Sequence, residues 1–580
     1  MLKNAVVLSS IAVILGLGLG ECAWAISLQP SDFAWPLLER VAFWVAGAAL
    51  GLAWAWANAG VWRLAFGFDF KNGLRFGAVG LVPALLGLAW PLVVRFKLPY
   101  PHDEPVRVLQ ILFAAQCLGS LGLSTFFGLA ALRGSAILES WPAKRLAIRL
   151  SGAAMLVFCL SGHWIGQWNM TGDSPHYVLM AHSLAYDHDE DLSNNYKSGV
   201  WRRFFDREDL PTQIPDQPDG RHIPEHKPGL SILVLPGYVL AGASGVRWTL
   251  ALVSAGASGL IFLLCLNLGY TRRLALLGWA LFAFAAPWWT NAQMVMPEML
   301  GGMLLLLILC VWQGMLPRGW VSFCAFVLVW VSVRFYPLAG FVALVEVIQR
   351  RRLKLAWWWS PLAWSALSLG LGLYLNYLQF GHISPGKTYE QRHQSMAFLV
   401  NPGMMLHYAW GLMIDQEYGW LPYTPVFALS FLGLWAFWLR DRAFFWFSLL
   451  PALVYIAPVT LFHEWWSSMA PNRYVVCLTP MFAIWALEVW RSWGSKLVFQ
   501  ALAAASITWA LCLAIVPWFC WSKQNGENWP LRIVGMAVHR DLAQWFPSFM
   551  VERPISQVWI VGILILGFVS LKVLGRPKGL

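Results

Sequence analysis

Two short polar motifs stand between apolar stretches of the sequence, and their residue types suit acid–base chemistry beside a phosphate group. In the first motif, Thr171–Tyr177, Asp173 directly precedes a helix signal. Gly172 permits a turn, Ser174 can cap the helix, and Pro175 suits its first position. Asp173 is either a base that accepts a proton or a residue that only caps this helix. The spacing that follows predicts one apolar face of an amphipathic helix, made of Tyr177, Val178, Ala181, Leu184 and Ala185.

The second motif, Pro224–Gly229, comes immediately before another apolar stretch and contains Glu225, His226 and Lys227. A carboxylate such as Asp173 can take the proton of an attacking group, and a cation such as Lys227 can help a phosphate to depart. The alternative for Lys227 is a purely interfacial role, in which its long side chain reaches from the apolar layer to water or to lipid headgroups.

The composition shows what kind of molecule must position these motifs. Of 580 residues, 58% are hydrophobic and 12% are charged, whereas soluble proteins are about 25% charged. The 38 Trp, 35 Phe and 15 Tyr are typical of helix ends anchored at two bilayer interfaces. These values exclude a soluble enzyme and predict an all-α polytopic membrane protein. The net charge is +12, but the Lys and Arg residues are scattered in short clusters between apolar runs. This pattern favours a role in membrane topology over a nucleic-acid partner.

About sixteen apolar segments match the roughly 20 residues that a helix needs to cross a bilayer. With the N-terminus inside, the inner segments carry 22 of the 41 basic residues and five of the 29 acids, as the positive-inside rule requires. The first segment has features of a cleavable secretory signal, and we interpret it as a span. The predicted spans are centred near residues 13, 51, 86, 120, 157, 257, 282, 307, 327, 343, 367, 432, 453, 482, 507 and 563.

Long outer segments separate some of these spans and are expected to carry function, because loops too long for simple turns usually do. The first of them contains Leu230–Ala243, which is apolar, is interrupted by Pro236 and is about 21 Å long as a helix. We therefore expect this stretch to lie in the membrane interface. The three outer segments are 168–247, 379–423 and 518–554.

The apolar stretch Val321–Ile348 is predicted to form two short spans and not one long helix. Pro337 supports a break because it lacks a backbone donor and disfavours helix before it. The break puts Arg334 near the outer surface. At the centre of a bilayer this arginine would cost about 2.5 to 3.5 kcal/mol.

On the two motifs the chain resembles the GT-C glycosyltransferases that use polyprenyl-phosphate-linked sugars, especially the lipid A aminoarabinose transferases and the protein O-mannosyltransferases. In that family the first outer loop opens with an Asp-Glu-x-x-Tyr-like motif and ends with a Glu-Lys-Pro-Pro-Leu-like motif. This chain has Asp173–Tyr177 and Glu225–Leu230 in the same order. The resemblance covers roughly residues 146–571. It implies a GT-C-like membrane domain at 146–580 with outer juxtamembrane helices. The four spans predicted before this domain form an extension at 1–145, which the family normally lacks.

The resemblance implies a role for each matching residue. Asp173 would be the catalytic carboxylate, and Lys227 would lie near the phosphate of the donor. The remaining motif residues would belong to the substrate-binding site, namely His176, Tyr177 and Glu225.

Three further residues match the family more loosely. Glu298 would be the acid near the acceptor or a metal, Arg334 the basic residue at the outer end of the paired helices, and Arg473 a ligand of a phosphate oxygen. Each also has a purely structural explanation. Glu298 is favoured by the dipole at a helix start, and both arginines suit interface anchors.

A divalent cation stays open as a cofactor, and the sequence assigns no metal ligands. Ser174 replaces the second acid of the family's motif, which weakens any metal site built from two carboxylates. Asp187–Asp191 has enough oxygen ligands for a cation but is also typical of a solvated face. Asp415–Glu417 is either an acceptor-selecting cluster or plain loop structure.

The sequence thus predicts a membrane glycosyltransferase that moves a sugar from a polyprenyl-phosphate donor to a lipid, glycan or protein acceptor. The site would face outside at the bacterial cytoplasmic membrane, with the donor and membrane lipids as partners. The alternative is a transporter or flippase of lipid-linked saccharides, which usually has polar residues at the bilayer midplane and internal repeats. A scaffold without activity is a third hypothesis, and Ser174 alone suggests it.

Overall fold

The computed structural model of the chain describes residues 141–574, apart from 169, 171, 206–207, 214–216, 218, 389–399, 468, 495, 516, 521–524, 530 and 533–539. Within those residues the chain is helical, and its β-structure consists of one isolated bridge between Val400 and Phe462. The all-α prediction is therefore confirmed for this part of the chain. The four spans predicted before residue 141, and nearly all of the extension predicted at 1–145, lie outside the described residues.

The described helices are numbered here in chain order, and short 3₁₀ turns lead into several of them. Two of these turns, Val333–Phe335 and Arg473–Leu478, carry candidate site residues. The helices are α1 Ala143–Trp168, α2 Ser174–Tyr186, α3 Ser193–Ser198, α4 Gly229–Asn267, α5 Arg272–Phe284, α6 Trp288–Asn291, α7 Pro297–Trp312, α8 Gly319–Val331, α9 Tyr336–Arg352, α10 Ser360–Phe380, α11 Met405–Ile414, α12 Trp420–Tyr423, α13 Ser430–Arg440, α14 Arg442–Leu461, α15 Thr479–Trp493, α16 Lys496–Ile515 and α17 Ile555–Leu574.

Three segments among the described residues are long and apolar enough to cross a membrane: α4, α14 and Arg473–Trp493, which joins a 3₁₀ turn to α15. These segments indicate a membrane protein. Each of the twelve span centres predicted between residues 157 and 563 falls inside a helix, although many of those helices are shorter than a full span. The helix lengths therefore do not confirm the prediction of about sixteen membrane spans.

The predicted break within Val321–Ile348 is confirmed. Helix α8 ends at Val331, Ser332 is extended with φ −167° and ψ 151°, and α9 begins with Pro337 in its first turn. Proline lacks the backbone donor that a continuous helix would need, so the chain starts a new helix there. Arg334 consequently lies in the turn between two helices.

Helix α4 contains a sharp bend that separates the predicted interfacial stretch from the following span. Ala241 and Gly242 have non-helical backbone angles, and Gly242 has a φ of 58°. On the two sides of the bend, Gly237 and Gly245 approach so closely that a Cβ on Gly245 would lie 1.8 Å from the Gly237 carbonyl oxygen. The absence of side chains at both positions therefore allows the first part of α4 to fold against the second.

Buried ion pairs gather at one end of several helices. Glu346 of α9 is bound by Arg318 at 3.1 Å and by Arg350 at 2.9 Å, and Glu488 of α15 by Arg440 at 3.1 Å. Glu346 lies ten residues after the start of α9, and Glu488 lies nine residues after the start of α15; at 1.5 Å per residue both are about 14 to 15 Å from those starts. We name this the basic end. The opposite end, at the starts of α2, α7, α9 and the segment that leads into α15, is the site end.

The site end has a small hydrophobic core of its own, distinct from the large core between the long helices. Helix α2 is buried on most of its surface, not on one face as the amphipathic pattern predicts, because it packs against the first part of α4. Ser231 of α4 donates a hydrogen bond to the carbonyl oxygen of Tyr177 at 2.9 Å. This core contains Met170, Tyr177, Val178, Leu179, Ala181, Leu192, Trp201, Phe205, Leu210, Leu230, Val234, Tyr238, Val246, Leu250 and Val295.

Candidate functional site

Asp173 stands at the start of α2, but its side chain does not cap the helix. Asp173 occupies the N-cap position, but its backbone is helical, with φ −76° and ψ −21°, and its side chain accepts no capping hydrogen bond. The prediction that Ser174 caps the helix is wrong, because Ser174 is already the first helical residue. Pro175 lies in the first turn, as predicted. The carboxylate of Asp173 is therefore directed to other partners.

Those partners come from distant parts of the chain. Nη2 of Arg473 donates to Oδ2 of Asp173 at 2.8 Å, and Nε2 of Gln213 donates to Oδ1 at 3.2 Å. Nε2 of His226 lies 3.8 Å from the same Oδ1 atom. The Asp173 side chain is only 17% exposed, so these contacts form in a largely buried setting.

Arg473 is held by the turn that leads into α15. The side chain of Asn472 accepts a hydrogen bond from the backbone of Tyr474 at 3.0 Å and donates one to the carbonyl oxygen of Trp465 at 2.6 Å. Asn472 is completely buried, so this turn is fixed from two sides. The turn leads directly into α15, and its arginine faces the starts of α2 and α7.

Glu298 and Arg334 form a second ion pair next to the first. Oε1 of Glu298, in the first turn of α7, accepts from Nη1 of Arg334 at 2.8 Å and lies 3.9 Å from Nε of Arg473. The guanidinium of Arg334 also stacks over the ring of Tyr474 at 4.3 Å. Arg334 is 29% exposed whereas Glu298 is 2% exposed. Arg334 thus offers the accessible edge of this cluster.

Two carboxylates and two guanidinium groups alternate in this cluster, in the order Asp173, Arg473, Glu298 and Arg334. Each carboxylate therefore has a cation beside it, and this affects the pKa of Asp173. Burial of the Asp173 carboxyl raises its pKa, but the charges of Arg473, His226 and Arg334 oppose this effect and outweigh it. The net result is a pKa well below the usual value of 3.8, so Asp173 is an anion at neutral pH. We name Asp173, Glu298, Arg334 and Arg473 the charge cluster.

Several buried polar atoms around the charge cluster have no hydrogen-bond partner among the described residues. They are Oε2 of Glu298, Nε of Arg473, Oγ of Ser174 and Oε1 of Gln213. In folded proteins most buried polar atoms are paired, and exceptions call for an explanation such as a ligand site. A group of such atoms beside an accessible arginine is consistent with a site that receives a polar ligand.

In the second motif, His226 lies against Asp173, whereas Lys227 contacts Asn376. The ring of His226 stacks on Tyr177 with 4.5 Å between centroids. Lys227 is 5% exposed, and its Nζ donates to Oδ1 of Asn376 in α10 at 3.4 Å. Burial lowers the pKa of Lys227 to about 8, although the nearby charge of Glu190 raises it. Lys227 therefore lies in a neighbouring polar group beside the charge cluster.

The remaining predicted site residues are mainly buried supports. Nδ1 of His176 is hydrogen-bonded to the hydroxyl of Tyr196 at 2.6 Å. Tyr177 joins the two motifs, because its ring contacts His226 and its carbonyl accepts from α4. Glu225 is 7% exposed in the turn before α4. The rings of His176 and Tyr177 lie 6.5 Å and 4.5 Å from the ring of His226, so both residues support the histidine that contacts Asp173.

A divalent cation does not fit the charge cluster. Arg473 lies between the two carboxylates, 2.8 Å from Asp173 and 3.9 Å from Glu298, in the place that a metal ion would need. Among the described residues no group of three or more His, Cys, Asp or Glu side chains is arranged to hold a metal. We therefore assign no reaction step to a metal.

The acidic run Asp187–Asp191 organises its own loop. Asp187 accepts from Asn195 at 2.7 Å, and Asp189 accepts from Ser183 at 2.9 Å. Asp191 accepts from the backbone of His222 at 2.8 Å. Asp187 and Asp189 thus bind neighbouring residues, and Asp191 links the acidic run to His222, just before the second motif.

The cluster Asp415–Glu417 joins the turn after α11 to the segment that precedes α17. Asp415 is buried and accepts from the backbone of Phe549 at 2.7 Å, whereas Gln416 donates to the carbonyl oxygen of Ala543 at 2.9 Å. Burial raises the pKa of Asp415, and backbone hydrogen bonds from Phe549 and others lower it in part. The hypothesis of plain loop structure accounts for all of these contacts.

No family model, curated protein or solved structure matches this chain. The functional conclusion therefore depends on the geometry of the site. Sequence reasoning missed two of its members, Gln213 and Asn376, because a lone amide in a polar loop or an apolar helix carries no signal of its own. Chemically, the site combines an ionised carboxylate with cations that can bind an anionic group.

Proposed function

We propose that the protein is an integral-membrane glycosyltransferase that uses a polyprenyl-phosphate-linked sugar as donor and a lipid, glycan or protein as acceptor. The observation that carries this proposal is the 2.8 Å contact between Asp173 and Arg473, beside the Glu298–Arg334 pair. These residues belong to four separate segments that meet at the ends of apolar helices. An acid and several cations in one place suit the transfer of a group from a phosphate.

The cations would hold the phosphate of the donor. Arginine binds phosphate oxygens through two parallel hydrogen bonds, and Arg334 has an accessible edge for this purpose. Arg473 has a buried Nε without a hydrogen-bond partner among the described residues and could add a second contact. Lys227, next to His226 in the chain, would meet the phosphate from the α10 side. The polyprenyl tail would remain in the bilayer.

Asp173 would act as the base. It takes the proton from the hydroxyl or amine of the acceptor, whose lone pair then forms the new bond to the anomeric carbon. The bond between that carbon and the phosphate oxygen breaks, and its electron pair leaves with polyprenyl phosphate. Donor phosphate would also attract Arg473 away from Asp173, which raises the pKa of this carboxyl and makes it a better base.

We also propose the finer topology. The chain would have about sixteen spans with its N-terminus inside, and the site end would face outside at a bacterial cytoplasmic membrane. This arrangement agrees with the basic clusters, such as Arg350–Arg352, at the end opposite to the site. Glu298 would orient the acceptor by keeping both arginines in place.

The proposal is tested with the full chain in lipid nanodiscs and a labelled polyprenyl-phosphate sugar. Asp173→Asn should abolish release of the sugar to water or to an added acceptor. The matched control is Asp219→Asn, because Asp219 is an exposed carboxylate in the same outer loop whose ion pair joins it to Arg221.

Three results decide between the functions. Sugar release by the wild type and its loss in Asp173→Asn alone support the transferase. Full activity in Asp173→Asn removes the role assigned to that carboxylate. Movement of intact donor across liposome membranes, without sugar release, would replace the transferase with a transporter.

A further inference from the structure

An apolar groove lies on the surface of the helices, and its lining contains no residue of the charge cluster. It encloses about 370 Å³ between α13, the start of α14 and α17. Two of its aromatic rings are strongly exposed, Phe431 at 50% and Trp435 at 42%. The absence of a side chain at Gly567 keeps the α17 wall open. The lining residues are Phe431, Leu432, Trp435, Trp438, Phe445 and Gly567.

Two of the helices that form the groove, α14 and α17, carry a cation that contacts an aromatic ring in or beside the lining. The guanidinium of Arg442 lies 5.0 Å above the ring of Trp438, which lines the groove. Lys572 contacts the ring of Phe568 at 4.5 Å, directly after Gly567 in the chain. Both cations are exposed. The apolar lining is thus accompanied by two exposed cations, one on α14 and one on α17.

The nearby acids are already engaged. Asp441 accepts a hydrogen bond from the backbone of Phe444 at 2.9 Å and so caps α14. Glu488 is buried and pairs with Arg440 at 3.1 Å. Of the carboxylates that the structure describes, none forms an ion pair with Arg442 or Lys572. These two cations are therefore suited to an external anion.

We propose that this groove binds an anionic phospholipid. An acyl chain lies against the aromatic rings, and the headgroup phosphate lies between Arg442 and Lys572. Basic pockets between membrane helices bind such headgroups, whereas a zwitterionic lipid gains less from two cations. The Arg442 part of the groove lies at the basic end, because Arg440, two residues earlier in the chain, pairs with Glu488. The groove is therefore separate from the donor site. The lipid-binding proposal can be tested independently of the proposed transferase activity.

The test is lipid binding by the full chain in nanodiscs, measured by native mass spectrometry after exchange with phosphatidylglycerol or phosphatidylcholine. Wild-type protein should retain phosphatidylglycerol, and the Arg442→Gln/Lys572→Gln variant should bind it roughly 5- to 30-fold more weakly. Arg352→Gln is the matched control, because Arg352 is an exposed cation at the end of α9.

A second variant examines the apolar part of the site. Gly567→Leu fills the groove, and nothing lies within 4 Å of a Cβ at this position, so the helix should fold normally. It should weaken phosphatidylglycerol binding while the melting temperature stays unchanged. Equal retention of the two lipids by wild-type protein, or unchanged binding in the double variant, would overturn the proposal.

Discussion

Arg473 and Asp173 lie 300 positions apart in the chain, yet Nη2 of the arginine is 2.8 Å from Oδ2 of the aspartate. This ion pair closes the first outer loop onto the start of the segment that leads into α15. Because both side chains are largely buried, neither charge can be satisfied by water alone when its partner is removed. The ion pair therefore contributes both to the stability of the site end and to the chemistry of the site.

A double-mutant cycle on this pair should show strong coupling. Asp173→Asn and Arg473→Gln should each lower the free energy of unfolding by about 3 kcal/mol, because each removes the nearest opposite charge from a buried ion. The double variant should lose much less than the sum, with a coupling energy of about 0.5 to 3 kcal/mol. Thermal unfolding in one detergent measures all four proteins. Strict additivity would mean that the two side chains do not interact.

Donor binding should depend on pH through Lys227. Burial lowers the pKa of this lysine to about 8, so its charge is present below that pH and is lost above it. The phosphate of the donor keeps its charge over this range. The dissociation constant of the donor should therefore rise by about tenfold between pH 7 and pH 9.5, as expected for the loss of one charge-assisted hydrogen bond.

The matched control for this pH dependence is Lys227→Arg. Arginine remains charged up to pH 12, so binding by this variant should not change between pH 7 and pH 9.5. Lys227→Gln should bind weakly at every pH. If wild type and Lys227→Arg show the same pH profile, Lys227 does not contact the phosphate.

The sequence predicts those features of the fold that local chemistry decides. Pro337 interrupts a helix and suits the first turn of a new one whatever its tertiary contacts, so the break beside Arg334 could be predicted. The helix after Asp173 could be predicted for the same reason, with Pro175 in its first turn. Capping by Ser174 could not, since Asp173 takes the N-cap position and its carboxylate is attracted to Arg473.

The site itself depends on contacts that no local pattern encodes. Nothing in the segment around Gln213 indicates that its amide binds Asp173. The placement of Lys227 against Asn376 likewise depends on how the first outer loop packs on α10. Motif reasoning therefore found the acid and the cations, and the packing of distant segments decides which of them touch.

A buried glutamate at the basic end should be important for stability. Glu346 is bound by both Arg318 and Arg350 and is fully buried. Glu346→Gln removes the charge that two guanidinium groups share, and should lower the free energy of unfolding by about 3 to 5 kcal/mol. Glu552→Gln, at an exposed position, should change it by less than about 0.5 kcal/mol. Equal thermal stability of the two variants would contradict this.

The crossing of α13 and α15 should tolerate no side chain at Gly433. A Cβ there would lie 1.6 Å from the carbonyl oxygen of Trp485, so the two helices would have to separate. Gly433→Ala should therefore cost about 1 to 3 kcal/mol of stability through overpacking. Gly370→Ala is the matched control, because it lies within α10 with nothing within 4 Å of its Cβ, and alanine is the better helix former. Thermal unfolding should show a lower melting temperature for Gly433→Ala and no decrease for Gly370→Ala; unchanged melting of Gly433→Ala would mean that these helices do not cross at this glycine.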